Sequence, residues 1–191
     1  MSGWEGAAVV LAIVYLALAI RQNLWCWAAA FASTSIYLVL MYAALLYMES
    51  VLQVFYLGMA VYGWYHWRHG PDPDHALPVK TWSVATHVRV IAGVFALAGL
   101  SGALLGRYSD AALPYLDSFT TWGAVVTTWM VARKILENWL YWFVIDSVSI
   151  YLYVSRELYL TALLFAFYLV LIVIGYIAWR REMYGGEAEA A

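Results

Sequence analysis

Seven long apolar runs, separated by short polar breaks, dominate this sequence. They cover residues 5–20, 24–42, 50–67, 82–106, 113–132, 135–154 and 158–180. A helix needs about 20 apolar residues to cross a bilayer core of about 30 Å, and a helix satisfies its own backbone hydrogen bonds in lipid. Each run is therefore predicted to be a transmembrane helix, which makes the fold class an all-α integral membrane protein with seven transmembrane helices.

The composition argues against a soluble domain. Hydrophobic residues make up 65% of the 191 residues and charged residues only 12%, whereas soluble domains carry about 25% charged residues. The formal net charge of −2 offers no basic surface for nucleic acid. A single cysteine, Cys26, excludes an intrachain disulfide and a cysteine-based metal cluster. We therefore expect the lipid bilayer as a partner, and neither nucleic acid, a metal nor a cofactor.

Basic residues are distributed unequally between the two ends of the predicted helices. Cytoplasmic loops of membrane proteins carry an excess of Lys and Arg. One end has Arg107 and Arg156, and the other has Arg21, Arg68, Lys80, Arg133, Lys134, Arg180 and Arg181. This bias predicts a multi-pass protein of the cell (inner) membrane with the N-terminus outside and the C-terminus in the cytoplasm.

The two halves of the chain resemble each other. An offset of 112 aligns residues 55–57 with 167–169, both Phe-Tyr-Leu, and Gly63 and Trp67 with Gly175 and Trp179. An offset of about 114 aligns Trp25 with Trp139 farther upstream. These matches predict two parallel three-helix repeats, residues 5–68 and 113–180, joined by a linker helix at 82–106. In many transporters the substrate site lies where such repeats meet.

The third run places polar and aromatic side chains on one helical face. Gln53, Trp64 and Trp67 follow a helical spacing, and Tyr56 lies near the same face. Indole rings stack on flat solutes and attract cations by about 0.5–2 kcal/mol each. We interpret this face as one part of a binding slot for a flat solute, with a cationic solute as one option.

The sixth run carries a second such face. Trp139, Trp142 and Asp146 follow the spacing i, i+3, i+7, and Asn138 adjoins the first of them. An acid near the middle of the bilayer costs about 2.5–3.5 kcal/mol, so it usually faces a cavity and serves a function. Asp146 is therefore the strongest single candidate. Its alternative role is a structural hydrogen bond to a Ser or Thr of a neighbouring helix.

Other aromatic residues have a simpler interpretation. Trp and Tyr form belts at the two membrane interfaces, and we assign Trp4, Trp82 and Trp179 to these belts. The histidines near the end of the third run, His66, His69 and His75, are interpreted as solvated, because no carboxylate or cysteine accompanies them at metal-ligand spacing.

Motifs of common enzymes are absent from the sequence. It contains no phosphate loop of the G-x-x-x-x-G-K-[ST] type, no H-E-x-x-H and no G-x-S-x-G. The lysines, Lys80 and Lys134, lie outside the last run, where a retinal protein would carry its Schiff base. These observations favour a membrane protein that is not an enzyme.

The motifs on the third and sixth runs resemble the PnuC family of vitamin transporters. Residues 53–55 with 62–67, and residues 133–142, carry the resemblance, which covers essentially the whole chain. It implies a 3+1+3 fold similar to that of the SWEET sugar carriers, often a homotrimer, which passes nicotinamide riboside by facilitated diffusion. It also implies a functional link to a cytoplasmic vitamin kinase. The binding residues it implies are Gln53, Trp64, Trp67, Asn138, Trp139, Trp142 and Asp146.

Two positions depart from that family pattern. Riboside carriers often have Asn where this chain has Ala60 and Asp146, so the polar groups offered to the substrate differ. Nicotinamide riboside and thiamine are both flat cations, and related family members carry thiamine. The sequence thus leaves thiamine as an alternative substrate. A seven-helix receptor or structural protein without transport activity is the alternative of another class.

Overall fold

The structure, a computed structural model, describes residues 3–43, 47–69, 77–108, 113–155 and 159–189. These residues form seven α-helices, one for each apolar run. Their bounds are α1 Gly3–Ile20, α2 Cys26–Ala43, α3 Tyr47–Arg68, α4 Val84–Tyr108, α5 Pro114–Ala132, α6 Asn138–Ser155 and α7 Tyr159–Glu189. The largest difference from the sequence prediction is at α7, which continues past residue 180 into a polar segment.

Helices α1 and α5 end in the same way. Gln22 and Lys134 have left-handed backbone conformations, each with a φ of 51°. The amide of Gln22 donates to Ala19 O (3.0 Å), and the amide of the next residue, Asn23, donates to Leu18 O (2.9 Å). This pair of bonds is the Schellman motif that closes many helices, in which glycine usually takes the left-handed position.

The turn after α5 repeats this motif. The amide of Lys134 donates to Val131 O (3.0 Å), and that of Ile135 donates to Met130 O (2.9 Å). A left-handed residue other than glycine costs about 1–2 kcal/mol. Both turns therefore tolerate strain in order to place a long polar side chain at this position.

The chain divides into two compact units. The first contains the described residues of Met1–Val79, Val131–Lys134 and Ala178–Ala191. In it α1 packs on α2 and α2 on α3. Ser33 of α2 donates its hydroxyl to Ala8 O of α1 (2.8 Å). The indole of Trp27 lies directly against Gly63 of α3, where a Cβ atom would overlap the ring.

The second unit contains Lys80–Met130 and Ile135–Ile177. Gly102 of α4 lies against Tyr115 of α5, and Gly123 of α5 against Ile145 of α6. Small residues of this kind let membrane helices approach closely. The segment before α4 is tied to the start of α6, because the amide of Leu136 donates to Lys80 O (2.8 Å).

Several contacts occur once in each half of the chain, 112 residues apart. Trp139 lies against Gly175 as Trp27 lies against Gly63. Ser35 and Ser147 donate their hydroxyls to the carbonyls four residues earlier (2.8 and 2.7 Å). The starts of α2 and α6, Cys26 and Asn138, differ by the same 112 positions. The structural counterpart of Trp139 is thus Trp27, and not Trp25 as the offset of 114 suggested.

Two described helical stretches are long and apolar enough to cross a membrane, Val84–Tyr108 and Ala162–Gly185. Gly6–Ile20 and Cys26–Leu40 are apolar but shorter. In the apolar 18-residue segment of each of these two stretches, only 17% and 22% of the residues are buried, respectively. A core helix of a soluble protein would be mostly buried, so this exposure fits helices that face lipid.

Candidate substrate-binding residues

The predicted site residues of the first unit all lie on α3. Gln53, Tyr56 and Trp64 are half-buried, whereas Trp67 is buried. The ring of Trp64 meets that of Trp25 edge to face, with 5.3 Å between the centroids. Trp25 is 64% exposed, so Trp64 belongs to a partly open aromatic pair.

Trp67 is enclosed by other groups. Its ring lies 5.4 Å from that of Trp27 and 6.1 Å from that of Trp179, between centroids. The ammonium of Lys134 lies 4.7 Å from the centre of the Trp67 ring. The indole N–H of Trp67 donates to Ala132 O (3.1 Å). These contacts give Trp67 a structural part in the first unit.

Trp179 is completely buried, at 0% exposure. Its indole N–H donates to Ala19 O (2.9 Å). The prediction that Trp179 belongs to an interfacial belt is therefore wrong. The local sequence does not distinguish an indole that lies at the lipid headgroups from one that donates a hydrogen bond to the end of a neighbouring helix. Trp4, by contrast, is exposed as a belt residue should be.

The predicted site residues of the second unit lie along α6. Asn138 is fully buried at the first position of the helix, and its amide nitrogen donates to Ile135 O (2.6 Å). Its amide oxygen has no hydrogen-bond partner within the described residues. Buried polar atoms are nearly always paired, so a hydrogen-bond donor placed beside this acceptor would stabilise it.

Asp146 lies on the same side of α6 as Trp139 and Trp142, seven and four residues before it. The aspartate is 5% exposed and Trp142 is half-buried. Within the part of the chain that the structure describes, the Asp146 carboxylate has neither an ion-pair partner nor a Ser or Thr hydroxyl donating to it. This arrangement favours the interpretation of Asp146 as a functional acid over a structural one.

Trp139 differs from Trp142 in its surroundings. The Trp139 ring is buried against Gly175 of α7. Trp139 and Trp67 thus have structural contacts, while Trp142 and Trp64 are the more accessible indoles of their helices. No group of three or more potential metal ligands occurs among the described residues.

A polar cluster that the sequence analysis does not predict stabilises the beginning of α6. The Glu137 carboxylate accepts from the amide of Trp82 (3.4 Å) and lies 3.8 Å from His87 Nε2. The other ring nitrogen of His87 lies 2.9 Å from the Tyr141 hydroxyl. Glu137 immediately precedes Asn138, so the cluster holds the segment that carries the candidate site. Only the position of Glu137 beside Asn138 could have indicated it in advance.

A second polar network was also missed. Lys134 donates to the side-chain oxygen of Gln22 (2.6 Å), and the Gln22 amide nitrogen donates to Glu182 (2.6 Å). Burial lowers the pKa of Lys134, which is 4% exposed, and the Glu182 carboxylate and Cys26 oppose this shift. From the sequence alone, Gln22, Lys134 and Glu182 cannot be told from ordinary polar residues of loops and of a C-terminal tail.

The chain is similar to known proteins over nearly its whole length. The family model described as nicotinamide mononucleotide transporter matches residues 2–181. The riboflavin/roseoflavin transporter RibM of Streptomyces davaonensis is 27% identical, over 89% of this chain and 81% of that protein. The nicotinamide riboside transporter PnuC of Escherichia coli is 22% identical, over 85% and 79% of the two chains.

The fold is shared with a solved structure. A crystal structure of the vitamin B3 transporter PnuC matches with a TM-score of 0.76 and 22% identity, and the match covers 96% of this chain and 83% of that one. Since the family model spans almost the entire sequence, this protein belongs to the nicotinamide mononucleotide transporter (PnuC) family, whose members are multi-pass membrane transporters of vitamins and not enzymes.

Proposed function

We propose that this protein passes nicotinamide riboside, a flat cationic vitamin precursor, across the inner membrane by facilitated diffusion. The observation that carries the proposal is the buried carboxylate of Asp146 on α6, which lacks a cationic partner among the described residues. A cationic ring bound near this acid would offset the cost of burying its charge.

The other candidate residues have complementary roles. Trp64 and Trp142, the more accessible indoles, would stack on or gate the pyridinium ring. Gln53 and the unpaired oxygen of Asn138 would bind the ribose hydroxyls and the carboxamide. Tyr56 would add a hydroxyl or a ring face from α3. Trp67 and Trp139 would support this arrangement, because their packing fixes the helices that carry the other residues.

The proposed architecture is 3+1+3, similar to that of the SWEET carriers. Residues 5–68 and 113–180 would be the two repeats and α4 the linker. The contacts that recur 112 residues apart support this arrangement. The basic residues support an outside N-terminus and a cytoplasmic C-terminus. A homotrimer and a link to a cytoplasmic vitamin kinase complete the proposal by resemblance.

Riboflavin is a second candidate substrate. Its support is the 27% identity to a riboflavin/roseoflavin transporter, a higher value than the 22% to PnuC of E. coli. The flavin ring system is flat but uncharged, so Asp146 would accept hydrogen bonds from it rather than pair with a cation. The two candidates therefore predict different consequences of removing the charge.

The test is calorimetric titration of purified protein with nicotinamide riboside, riboflavin and thiamine. Asp146→Asn removes the charge with little change in size, and Asp117→Asn in the first turn of α5 is the matched control. We expect Asp146→Asn to weaken riboside binding at least ~10-fold, which is about 1.4 kcal/mol, and Asp117→Asn to leave it unchanged.

Each other outcome would reject part of the proposal. Binding of riboflavin or thiamine alone would reject nicotinamide riboside as the substrate. Unchanged riboside affinity in Asp146→Asn would return Asp146 to a structural role. Binding of none of the three compounds would contradict the assignment of these vitamins.

A further inference from the structure

The two left-handed turns that end α1 and α5 meet through their side chains. Lys134 Nζ donates to Gln22 Oε1 (2.6 Å), and these residues are 112 positions apart. The repeat offset is the same number, so a single position of the repeated unit contacts its own counterpart. In the first unit this contact directly connects the end of α1 to the end of α5.

A third element joins the same contact. Gln22 Nε2 donates to Glu182 Oε2 of α7 (2.6 Å). Gln22 thus uses both ends of its amide, one toward a cation and one toward an anion. The three side chains form a continuous chain of charge-assisted hydrogen bonds, which are shorter and stronger than neutral ones.

The contact also reaches Trp67. The Lys134 ammonium lies 4.7 Å from the centre of the Trp67 ring, and the Trp67 N–H donates to Ala132 O at the end of α5. The indole of Trp179 makes the corresponding bond to Ala19 O at the end of α1. Each helix end is therefore closed by an indole from the third helix of the other half of the chain.

The left-handed backbone at Gln22 and Lys134 indicates that these two side chains have a role of their own. Glycine would relieve both left-handed turns, yet the chain has Gln and Lys there. Residues held in uncommon conformations often mark places where strain is part of the mechanism.

We propose that Gln22, Lys134 and Glu182 form a latch that holds α1, α5 and α7 together and opens once in each transport cycle. The proposal rests on the proposed transport function for its cycle, but not on the identity of the vitamin. Closed, the latch fixes the ends of α1 and α5 to Glu182, which lies seven residues before the end of α7. Its opening frees these helices to separate there. Among the described residues, Trp179 of α7 also donates to Ala19 O at the end of α1, and Trp67 of α3 donates to Ala132 O at the end of α5.

Cys26 provides a native reporter of opening. It is the single cysteine of the chain, it is fully buried, and it lies four residues after Gln22. A maleimide reagent should label it slowly while the latch is closed. Gln22→Gly and Lys134→Gly remove the side chains and suit the left-handed turns, so these variants should fold. We expect both to label Cys26 at least ~5-fold faster than the unaltered protein in lipid vesicles.

Matched controls distinguish the latch from a general loosening. Lys80→Met removes the other lysine of the chain, whose side chain is exposed, and Arg181→Gln changes the charged neighbour of Glu182. Both should leave the labelling rate unchanged, while Glu182→Gln should raise it. Equal labelling of the glycine variants and the unaltered protein would overturn the latch.

A reversible cross-link tests the cycle itself. Cysteines at positions 22 and 134, in a Cys26→Ser background, can be joined by a short bifunctional thiosulfonate. The cross-linked protein should bind the vitamin with an unchanged Kd, transport it at least ~10-fold more slowly, and recover after reduction. Full transport while cross-linked would overturn the latch. Absence of uptake by the unaltered protein would instead reject the transport function, and the Cys26 labelling would still decide the latch.

Discussion

At the scale of single residues, two glycines determine how closely the helices approach. Gly63 lies directly against the indole of Trp27, and Gly175 lies directly against the indole of Trp139. In contrast, among the described residues no neighbouring side chain or other helix comes within 4 Å of the position that a Cβ would take at Gly58 or Gly185, which lie on the same two helices. The chain thus offers a matched pair of glycines on α3 and another on α7.

We predict opposite effects of Gly→Ala within each pair. Gly63→Ala and Gly175→Ala should lower the free energy of unfolding by about 1–3 kcal/mol, because the new methyl group overlaps an indole. Gly58→Ala and Gly185→Ala should leave it equal or raise it by up to about 1 kcal/mol, because alanine favours helix. Thermal unfolding of the purified variants measures this. Equal effects within a pair would contradict the packing.

Some residues were predictable and others were not, for identifiable reasons. Asp146 stands out because an acid inside an apolar run is costly, and Gly63 and Gly175 stand out because the repeat aligns them. Lys134 gave no signal, since a left-handed lysine in a helix-terminal turn looks like any basic loop residue. Trp179 was assigned wrongly because burial of an indole depends on its neighbours and not on its place in the run.

At the scale of elements, the helices follow from the lengths of the apolar runs, but their ends follow from tertiary contacts. The sixth run begins in the sequence at Ile135, whereas α6 begins at Asn138. The intervening residues are held by the backbone of Lys80 and by the contacts of Glu137 to Trp82 and His87. Since these partners are about 55 residues away, no local pattern could have indicated this boundary.

We predict that His87 stabilises the start of α6. His87→Ala removes the contacts to Tyr141 and Glu137, and we expect the free energy of unfolding to fall by about 1 kcal/mol. His69→Ala is the control, because His69 is exposed, directly follows α3 and stacks on Tyr65 of that helix. Its effect should stay within about 0.5 kcal/mol. Chemical denaturation in detergent compares the two, and equal losses would contradict a bracing role.

At the scale of the whole molecule, the family is shown by the match over residues 2–181 and the fold by the solved PnuC structure. The substrate cannot be read from the fold, because one fold serves relatives named for riboflavin and for nicotinamide riboside. We propose that it depends on a few side chains, among them Asp146 and Asn138. Their chemistry leads us to a flat cation and therefore to nicotinamide riboside.

The most direct test of this account is the uptake of labelled nicotinamide riboside by proteoliposomes that contain the purified protein. In vesicles clamped at zero membrane potential, facilitated diffusion of this cation predicts uptake that stops when the inside and outside concentrations are equal. It also predicts uptake that does not change when an ion gradient is imposed at zero potential, and that falls at least ~10-fold in Asp146→Asn. Uptake no greater than that of empty vesicles would contradict the account, as would accumulation above the outside concentration.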